Sequence, residues 1–260
     1  MTLFAAGETA AVEVVAHRGA SRLAPENTLA AVRLGWKLGA DAVEVDVYLS
    51  SDGRIVAIHD ETTTRTTGAA LEVARTPAAR LRRLDAGGWK DQKFTGEKIP
   101  FLSEILKTIP AGKRLLVEVK CGPSILPRLD RVLDTSGKRG QVMIISFGFE
   151  VAAGARRRMP DVPALWLKST EKDRASGAPI SHDPDLVRRA RAAKLSGLGV
   201  HHAGVDAAFA RAVRGAGLKL YVWTVDDPAE AERLLALGID GLITNRPGWM
   251  RGQLEGGKFR

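Results

Sequence analysis

Cysteine is almost absent from this chain, and long hydrophobic runs are absent altogether. The single thiol, Cys121, among 260 residues excludes an internal disulfide and is typical of a reducing compartment. No apolar run reaches the ~18 residues that a membrane-spanning helix needs. The first sixteen residues show no basic segment followed by a long apolar core, as a secretory signal would. We therefore expect a cytoplasmic protein with no stable membrane insertion.

Internal repeats, low-complexity tracts and linker-like segments are also missing, which favours one domain over residues 1–260. The charge is unbalanced, because 39 Lys and Arg face 30 Asp and Glu, for a net charge of +9. However, arginine clusters such as 156–158 fall in helix-like segments, and no aromatic and basic residues interleave as in RNA-binding sheets. We expect no nucleic-acid partner, whereas this positive charge suits an anionic substrate. Self-association into a homo-oligomer stays open.

Strand-like and helix-like segments alternate along the chain. Apolar and β-branched runs predict strands near 12–16, 41–49, 114–119, 141–145, 162–167, 197–200, 218–223 and 239–243. Helical patterns occur near 27–39, 102–108, 124–135, 148–158, 183–194, 205–216 and 227–237. This alternation is typical of parallel βαβ units in an α/β protein. Eight strands favour a closed (β/α)₈ TIM barrel over an open sheet, and such barrels often have about 250 residues.

An interruption follows the second predicted strand. Asp52-Gly53 is a hairpin turn signal and precedes a short apolar run at 54–59. The next stretch, about 60–100, is rich in Thr, Gly and Arg and replaces the expected strand-to-helix connection. We predict that it is a small insertion at the mouth of the barrel.

The strand at residues 42–49 carries the first chemical signal. Its alternation places three valines on one face and Glu44, Asp46 and Tyr48 on the other. The two carboxylates then lie roughly 7 Å apart on one face of a mostly apolar element. Burying such a pair is costly unless a positive group lies beside it, and a divalent cation is the simplest candidate. An edge strand with this face in water is the alternative, and Tyr48 has no role that the pattern supports.

Further polar residues fall at the ends of other predicted strands. The segment 115–120 repeats the pattern, with Glu118 and Lys120 in phase. In α/β barrels the active site lies at the C-terminal ends of the strands. The remaining candidates fall at such ends: His17, Arg18, His59 and Trp223. We therefore predict that these side chains converge on one rim of the barrel.

These residue types indicate a particular chemistry. Glu44, Asp46 and Glu118 form an all-oxygen set suited to one hard divalent cation, Mg²⁺ or Ca²⁺, with Mn²⁺ also possible. Arg18 and Lys120 supply positive charge for a substrate anion, above all phosphate. The two histidines can act as general base and general acid near neutral pH. Together they predict metal-assisted hydrolysis of a phosphoester.

The order of motifs resembles a known family. The segment His17-Arg18-Gly19-Ala20, followed by Pro25-Glu26-Asn27-Thr28, is similar to the opening motif of glycerophosphodiester phosphodiesterases. Later blocks of the same family resemble residues 43–47, 52–60, 65–67, 99–102, 117–120, 223–225 and 238–247, in the same order. The resemblance spans nearly the whole chain, and its first half is specific.

The resemblance implies a TIM barrel that hydrolyses small glycerophosphodiesters, the deacylated head groups of phospholipids, to sn-glycerol 3-phosphate and an alcohol. It also implies roles for residues of this chain: a divalent cation on Glu44, Asp46 and Glu118, acid/base catalysis by His17 and His59, and phosphate binding by Arg18 and Lys120. We expect Trp223 to form a wall against the substrate glycerol. The attacking hydroxyl could belong to that glycerol or to water.

Two other functions remain open. A lysophospholipase-D-like or sphingomyelinase-D-like hydrolase would use the same barrel but would need an apolar landing surface near residues 60–100, where the sequence shows little. A catalytically silent anion-binding barrel would be expected to lack a histidine or a metal carboxylate, yet all are present.

Several other residues receive structural predictions. The Asn27-Thr28 pair, which precedes an apolar helical run, is expected either to cap the first helix or to take part in catalysis. Glu26 is expected to hold this loop or to touch the site. Asn245 stands where the family often has aspartate, and we assign it no part in the chemistry. His201 and His202 could reach the rim of the barrel, although without a matching motif we expect them to be loop histidines, and His182 is expected to be exposed.

Overall fold

The computed structural model describes residues 12–256. Within them the strands are β1 Glu13–Ala16, β2 Ala42–Leu49, β3 Ile55–Ala57, β4 Arg114–Val119, β5 Val142–Ser146, β6 Ala164–Lys168, β7 Gly197–His201, β8 Lys219–Trp223 and β9 Gly241–Thr244. The helices are α1 Leu29–Lys37, α2 Thr64–Thr67, α3 Ala78–Leu81, α4 Leu102–Leu106, α5 Leu126–Ser136, α6 Phe149–Arg158, α7 Asp185–Ala192, α8 Ala207–Gly215, α9 Pro228–Ala236 and α10 Pro247–Glu255.

Eight parallel strands form a closed barrel. They follow the order β1, β9, β8, β7, β6, β5, β4 and β2, and the pairing of β1 with β2 closes the ring. The third strand, β3, lies antiparallel to the far end of β2, as the hairpin signal predicted. The predicted (β/α)₈ fold is therefore confirmed. None of the helices described between residues 12 and 256 is long and apolar enough to cross a bilayer.

Two apolar layers explain why β2 carries carboxylates on one face alone. Its three valines pack outward among residues of the surrounding helices, including Leu102 of α4 and Leu129 of α5. The barrel interior is filled by a second cluster: Val15, Ala42, Leu116, Met143, Ile145, Leu165, Leu167, Tyr221 and Ile243. Glu44 and Asp46 point away from the outer layer, at the mouth end of this filled interior.

The stretch after β3 forms a small insertion with its own core. Tyr48 and Val56, which are partners in the β2–β3 register, pack there against Val73, Leu81 and Ile99. Tyr48 therefore has a structural role that the sequence pattern did not reveal. Because β2 continues past the barrel, its last residues contact the insertion instead of the barrel interior.

Helix α10 was not among the predicted helices. It begins with Pro247 at its first position, where a missing backbone N–H costs nothing. Its Met250 is fully buried and belongs to the outer apolar layer, so α10 completes the ring of helices beside β1.

Candidate active site

Three carboxylates meet at the mouth of the barrel. Glu44 and Asp46 belong to β2 and Glu118 belongs to β4, and the parallel register sets Asp46 directly beside Glu118. One oxygen from each of the three lies within 4.8 Å of the others. Glu44 and Asp46 are fully buried and Glu118 is 8% exposed. The edge-strand alternative, with this face in water, is therefore wrong.

Burial makes two of these carboxylates, Glu44 and Glu118, hard to ionise without an added cation. Burial, reinforced by Asp46 and Glu118, raises the pKa of Glu44 well above its usual value. Burial and the charge of Asp46 likewise raise the pKa of Glu118 to about 7, although Lys120 opposes the shift. Glu44 Oε1 and Asp46 Oδ1 accept no hydrogen bond from any residue that the structure describes. Buried oxygens without donors are suited to a hard divalent cation, so the residues present fit such an ion.

The two predicted phosphate-binding cations flank the carboxylates. Arg18 Nε lies 3.2 Å from Asp46 Oδ2, and the Arg18 backbone N–H donates to Glu44 Oε2 at 2.9 Å. Lys120 Nζ donates to Glu118 Oε1 at 2.7 Å and lies 3.6 Å from Asp46 Oδ1. Three carboxylates thus face two cations, and a divalent ion would turn this surplus of negative charge into a surplus of positive charge. Such a site would then attract phosphate.

His59 is held by a chain of charged residues. Its Nδ1 lies 2.6 Å from Asp60 Oδ1, and Arg65 Nε donates to Asp60 Oδ2 at 2.6 Å. Burial of Asp60 works against its charge, but hydrogen bonds from Arg65 and His59 hold its pKa below the usual value. Arg65 also forms two hydrogen bonds with Glu26, which ties the insertion to the loop after β1.

His17 has a neutral partner instead. Its Nδ1 lies 2.7 Å from Oδ1 of Asn245, a residue that we expected outside the chemistry and that lies just after β9. Burial, together with the charge of Arg18, lowers the pKa of His17 to about 4. The imidazole is therefore neutral near pH 7.

Two neighbouring residues of the loop before α1 have different structural roles. Thr28 is the N-cap, since its side chain accepts a hydrogen bond from the Ala31 backbone, as predicted. The prediction that Asn27 helps to cap this helix is wrong. Asn27 is buried with a left-handed φ of 58°, and its amide both donates to Asp46 Oδ2 at 2.9 Å and accepts from the Asp46 backbone N–H at 3.0 Å. Asn27 thereby holds the Asp46 side chain in place.

Glu26 links the same loop to two arginines. It accepts from Arg18 Nη1 at 3.0 Å and from Arg65, and these contacts hold its pKa below the usual value against the effect of burial. It therefore holds the loop, one of the two roles expected for it.

A cavity of about 140 Å³, which we call the mouth cavity, has a polar wall and an apolar wall. The polar wall consists of His17, Arg18, Glu44, His59, Glu118 and Lys120, and the apolar wall of Ile145, Phe147, Leu167, Trp223 and Ile243. Asp46 lies behind the polar wall, in contact with Arg18 and Lys120. A larger groove of about 750 Å³ lies on the outside of the barrel between α1 and α10 and contains none of these carboxylates or histidines.

Trp223 stands at the edge of the apolar wall. Its ring meets Phe147 edge-on at 5.4 Å and His201 at 5.2 Å. His182 was expected to be exposed, but it is only 6% exposed: its ring packs against Phe209 at 5.2 Å, and its Nε2 donates to the His201 carbonyl oxygen at 2.8 Å. The mouth cavity therefore suits a small molecule with one charged side and one apolar side.

The sequence model of the glycerophosphoryl diester phosphodiesterase family matches residues 17–249. The chain belongs to this family. A glycerophosphodiester phosphodiesterase of Caldanaerobacter subterraneus is 32% identical over 242 residues, which cover 90% of this chain and 94% of the relative. One from Bacillus subtilis is 28% identical over 251 residues, 90% of this chain and 83% of that protein.

Solved structures of family members superpose closely on this barrel. An Oleispira antarctica phosphodiesterase, solved in complex with the product sn-glycerol-3-phosphate, gives a TM-score of 0.85 at 28% identity, over 94% of this chain and 96% of that one. A glycerophosphodiester phosphodiesterase of Agrobacterium tumefaciens gives 0.75 at 29% identity, over 92% and 98%. Family membership confirms the resemblance and the enzyme class predicted from the motifs.

Proposed function

We propose that this protein hydrolyses glycerophosphodiesters to sn-glycerol 3-phosphate and an alcohol with the help of one divalent cation. The observation that carries the proposal is the trio of buried carboxylates, Glu44, Asp46 and Glu118, whose ligand oxygens lie within 4.8 Å of one another beside two cations and two histidines. The product bound in the structure of the Oleispira antarctica relative supports the substrate class.

The three carboxylates would hold the cation, and their oxygen-only ligand set favours Mg²⁺ or Ca²⁺, with Mn²⁺ also acceptable. A bound divalent cation polarises phosphoryl oxygens and offsets the charge that develops on them. With the carboxylates so engaged, Arg18 and Lys120 would be available to bind the phosphate. Both side chains line the mouth cavity, which supports this role.

In this proposal, each of the two histidines carries out one proton transfer. His17 is neutral near pH 7, so it can accept the proton of the attacking hydroxyl, whether this belongs to the substrate glycerol or to water. Attack by the glycerol hydroxyl would give a cyclic phosphate, which water then opens to glycerol 3-phosphate. His59 delivers a proton to the oxygen of the leaving alcohol, and Asp60 holds its ring by Nδ1 during the transfer. Both rings line the same cavity as Arg18 and Lys120, which supports this pair.

The glycerol moiety would lie against the apolar wall, on Trp223 and Phe147, whose rings already contact each other. The carbon face of glycerol is thereby removed from water while its phosphate faces the polar wall. No residue is assigned to the alcohol side of the substrate.

The experiment that tests the proposal measures glycerol 3-phosphate released from glycerophosphocholine, with a chelator and then with Mg²⁺, Ca²⁺ or Mn²⁺. Metal-dependent release is expected. Choline release from lysophosphatidylcholine alone would favour the lysophospholipase-D-like function, and absence of product from every glycerophosphodiester tested would favour a silent anion-binding barrel.

The proposal also treats residues 1–260 as one catalytic domain with an insertion at about 60–100, and the family match over residues 17–249 supports it. The cytoplasmic location, which the single cysteine favours, stays a prediction. The oligomeric state likewise stays open.

A further inference from the structure

The amide that contacts His17 has its own orientation fixed by a carboxylate. Asn245 Nδ2 donates to Asp226 Oδ2 at 2.6 Å. The other oxygen of Asp226 accepts from the Asn245 backbone N–H and from the Thr244 hydroxyl, both at 2.8 Å. A carboxylate can only accept hydrogen bonds. Turning the Asn245 amide around would therefore bring two acceptor oxygens together at that short distance, and the amide has one favourable orientation.

This orientation leaves Oδ1 of Asn245 to accept from the opposite side. Ser21 Oγ donates to it at 2.9 Å, and His17 Nδ1 lies 2.7 Å away. Because Oδ1 has no hydrogen to give, the contact with His17 is a hydrogen bond only when Nδ1 carries the proton. Nε2 of His17 has no hydrogen-bond partner within residues 12–256, and the ring lines the mouth cavity.

We propose that Asn245 is a positioning residue which, oriented by Asp226, holds His17 as the neutral tautomer protonated on Nδ1 and so leaves Nε2 as the proton acceptor. The catalytic meaning of this arrangement rests on the proposed function, but the tautomer itself does not. An amide performs this task differently from the carboxylate beside His59. It fixes the ring by the same nitrogen without adding a negative charge that would attract a second proton.

The test reads the tautomer directly. Protein labelled with ¹⁵N-histidine is kept metal-free with a chelator at pH 7.5, and long-range ¹H–¹⁵N correlation spectra identify which nitrogen of His17 carries the proton. The expected spectrum shows His17 neutral with Nδ1 protonated. A wild-type His17 protonated on Nε2 alone, or on both nitrogens, would overturn the proposal even without any variant.

Variants separate positioning from simple packing. Asn245→Leu keeps the branched shape of the side chain and removes the acceptor, so His17 should shift toward the Nε2-protonated tautomer that imidazole prefers in water. The exchange Asp226→Asn with Asn245→Asp restores a donor facing an acceptor and should restore protonation on Nδ1. Ser21→Ala is the matched control, because it removes one hydrogen bond to the same Oδ1 without touching His17. A tautomer that is unchanged in Asn245→Leu, or changed equally by Ser21→Ala, would contradict the proposal.

Enzymatic activity provides a second readout, which can fail independently of the tautomer assignment. Asn245→Leu should lower kcat about 100-fold, the loss expected when a general base presents the wrong nitrogen, with KM nearly unchanged. If the wild-type enzyme released no glycerol 3-phosphate, the proposed function would fail while the tautomer result would stand. If the tautomer changed and kcat did not, the positioning role would be wrong.

Discussion

Glu118→Gln is expected to stabilise the metal-free protein at pH 8 while removing its stabilisation by metal. Burial raises the pKa of Glu118 from 4.5 to about 7. A carboxyl whose pKa is higher in the folded than in the unfolded chain holds its proton more tightly when folded. Its contribution to stability is therefore fully present below about pH 4.5 and is lost as the pH rises through about 7.

The pKa difference of Glu118 sets the size of the effect. It corresponds to on the order of 3 kcal/mol at pH 8. Glutamine is neutral at every pH and resembles the protonated carboxyl, so the variant avoids this loss. In a chain of this length, we expect a Tm roughly 5–10 °C above wild type at pH 8. At pH 4.5, where the wild-type carboxyl of Glu118 is protonated in the folded chain and about half protonated in the unfolded chain, the two proteins should be nearly equal.

The assay is thermal unfolding with a chelator at pH 4.5 and pH 8, repeated with Mg²⁺ or Ca²⁺. Metal at 100 times its Kd stabilises a folded site by about 2.7 kcal/mol, so the wild type should gain Tm and Glu118→Gln should not. Glu104→Gln is the matched control. Glu104 pairs with Arg82 at 2.6 Å and accepts from the Phe101 backbone N–H, far from the carboxylate trio, so its loss should not raise Tm at pH 8.

A Glu118→Gln protein that is less stable than wild type at pH 8 in chelator would refute the reasoning. It would mean that Lys120, 2.7 Å from Glu118 Oε1, more than offsets the cost of burying the charge. A Tm gain of equal size at both pH values would show that packing and not ionisation is responsible.

Three further outcomes are expected. His17→Ala and His59→Ala should each lower kcat by about 10²–10⁴-fold while the metal-dependent rise in Tm is kept, and a wild-type rate in either would disprove the acid/base assignment. Asn27→Leu should weaken metal binding and cost about 2 kcal/mol in urea unfolding, because Asp46 loses two buried hydrogen bonds; an unchanged metal titration would show that Asn27 does not position Asp46. Metal affinity measured by calorimetry should rise between pH 5 and pH 8, since the proton on Glu118 must leave before the oxygen can bind, and a flat profile would contradict the raised pKa.

The barrel could be predicted because each of its strands has a recognisable pattern in the local sequence. Each of the eight predicted strand segments overlaps a strand of the closed sheet, and the alternation in β2 correctly separated its valines from Glu44 and Asp46. Helix α10 was missed because two glycines weaken its helical pattern, and burial of Met250 against the barrel is what holds it.

The candidate site was only partly visible in the sequence. The eight residues expected there do lie around one cavity, and their roles remain predictions. Asn27 was misplaced because an Asn-Thr pair before a helix is equally compatible with capping by either residue, and only the position of Asp46 decides between them. One signal for the contact between Asn245 and His17 was available. The resembled family often has aspartate at this position, and both Asn and Asp offer a side-chain oxygen that accepts a hydrogen bond.

Periodicity and the order of motifs were sufficient for the strands, the helices between β4 and β9 and the set of polar residues at the barrel mouth, because these depend on neighbours along the chain. The tertiary structure alone decided which groups touch. His17 and Asn245 are 228 positions apart and meet because β1 pairs with β9, and Asp46 meets Glu118 because β2 pairs with β4. Burial of Glu44 and Glu118, and with it their raised pKa values, also follows from closure of the barrel and leaves no pattern along the chain.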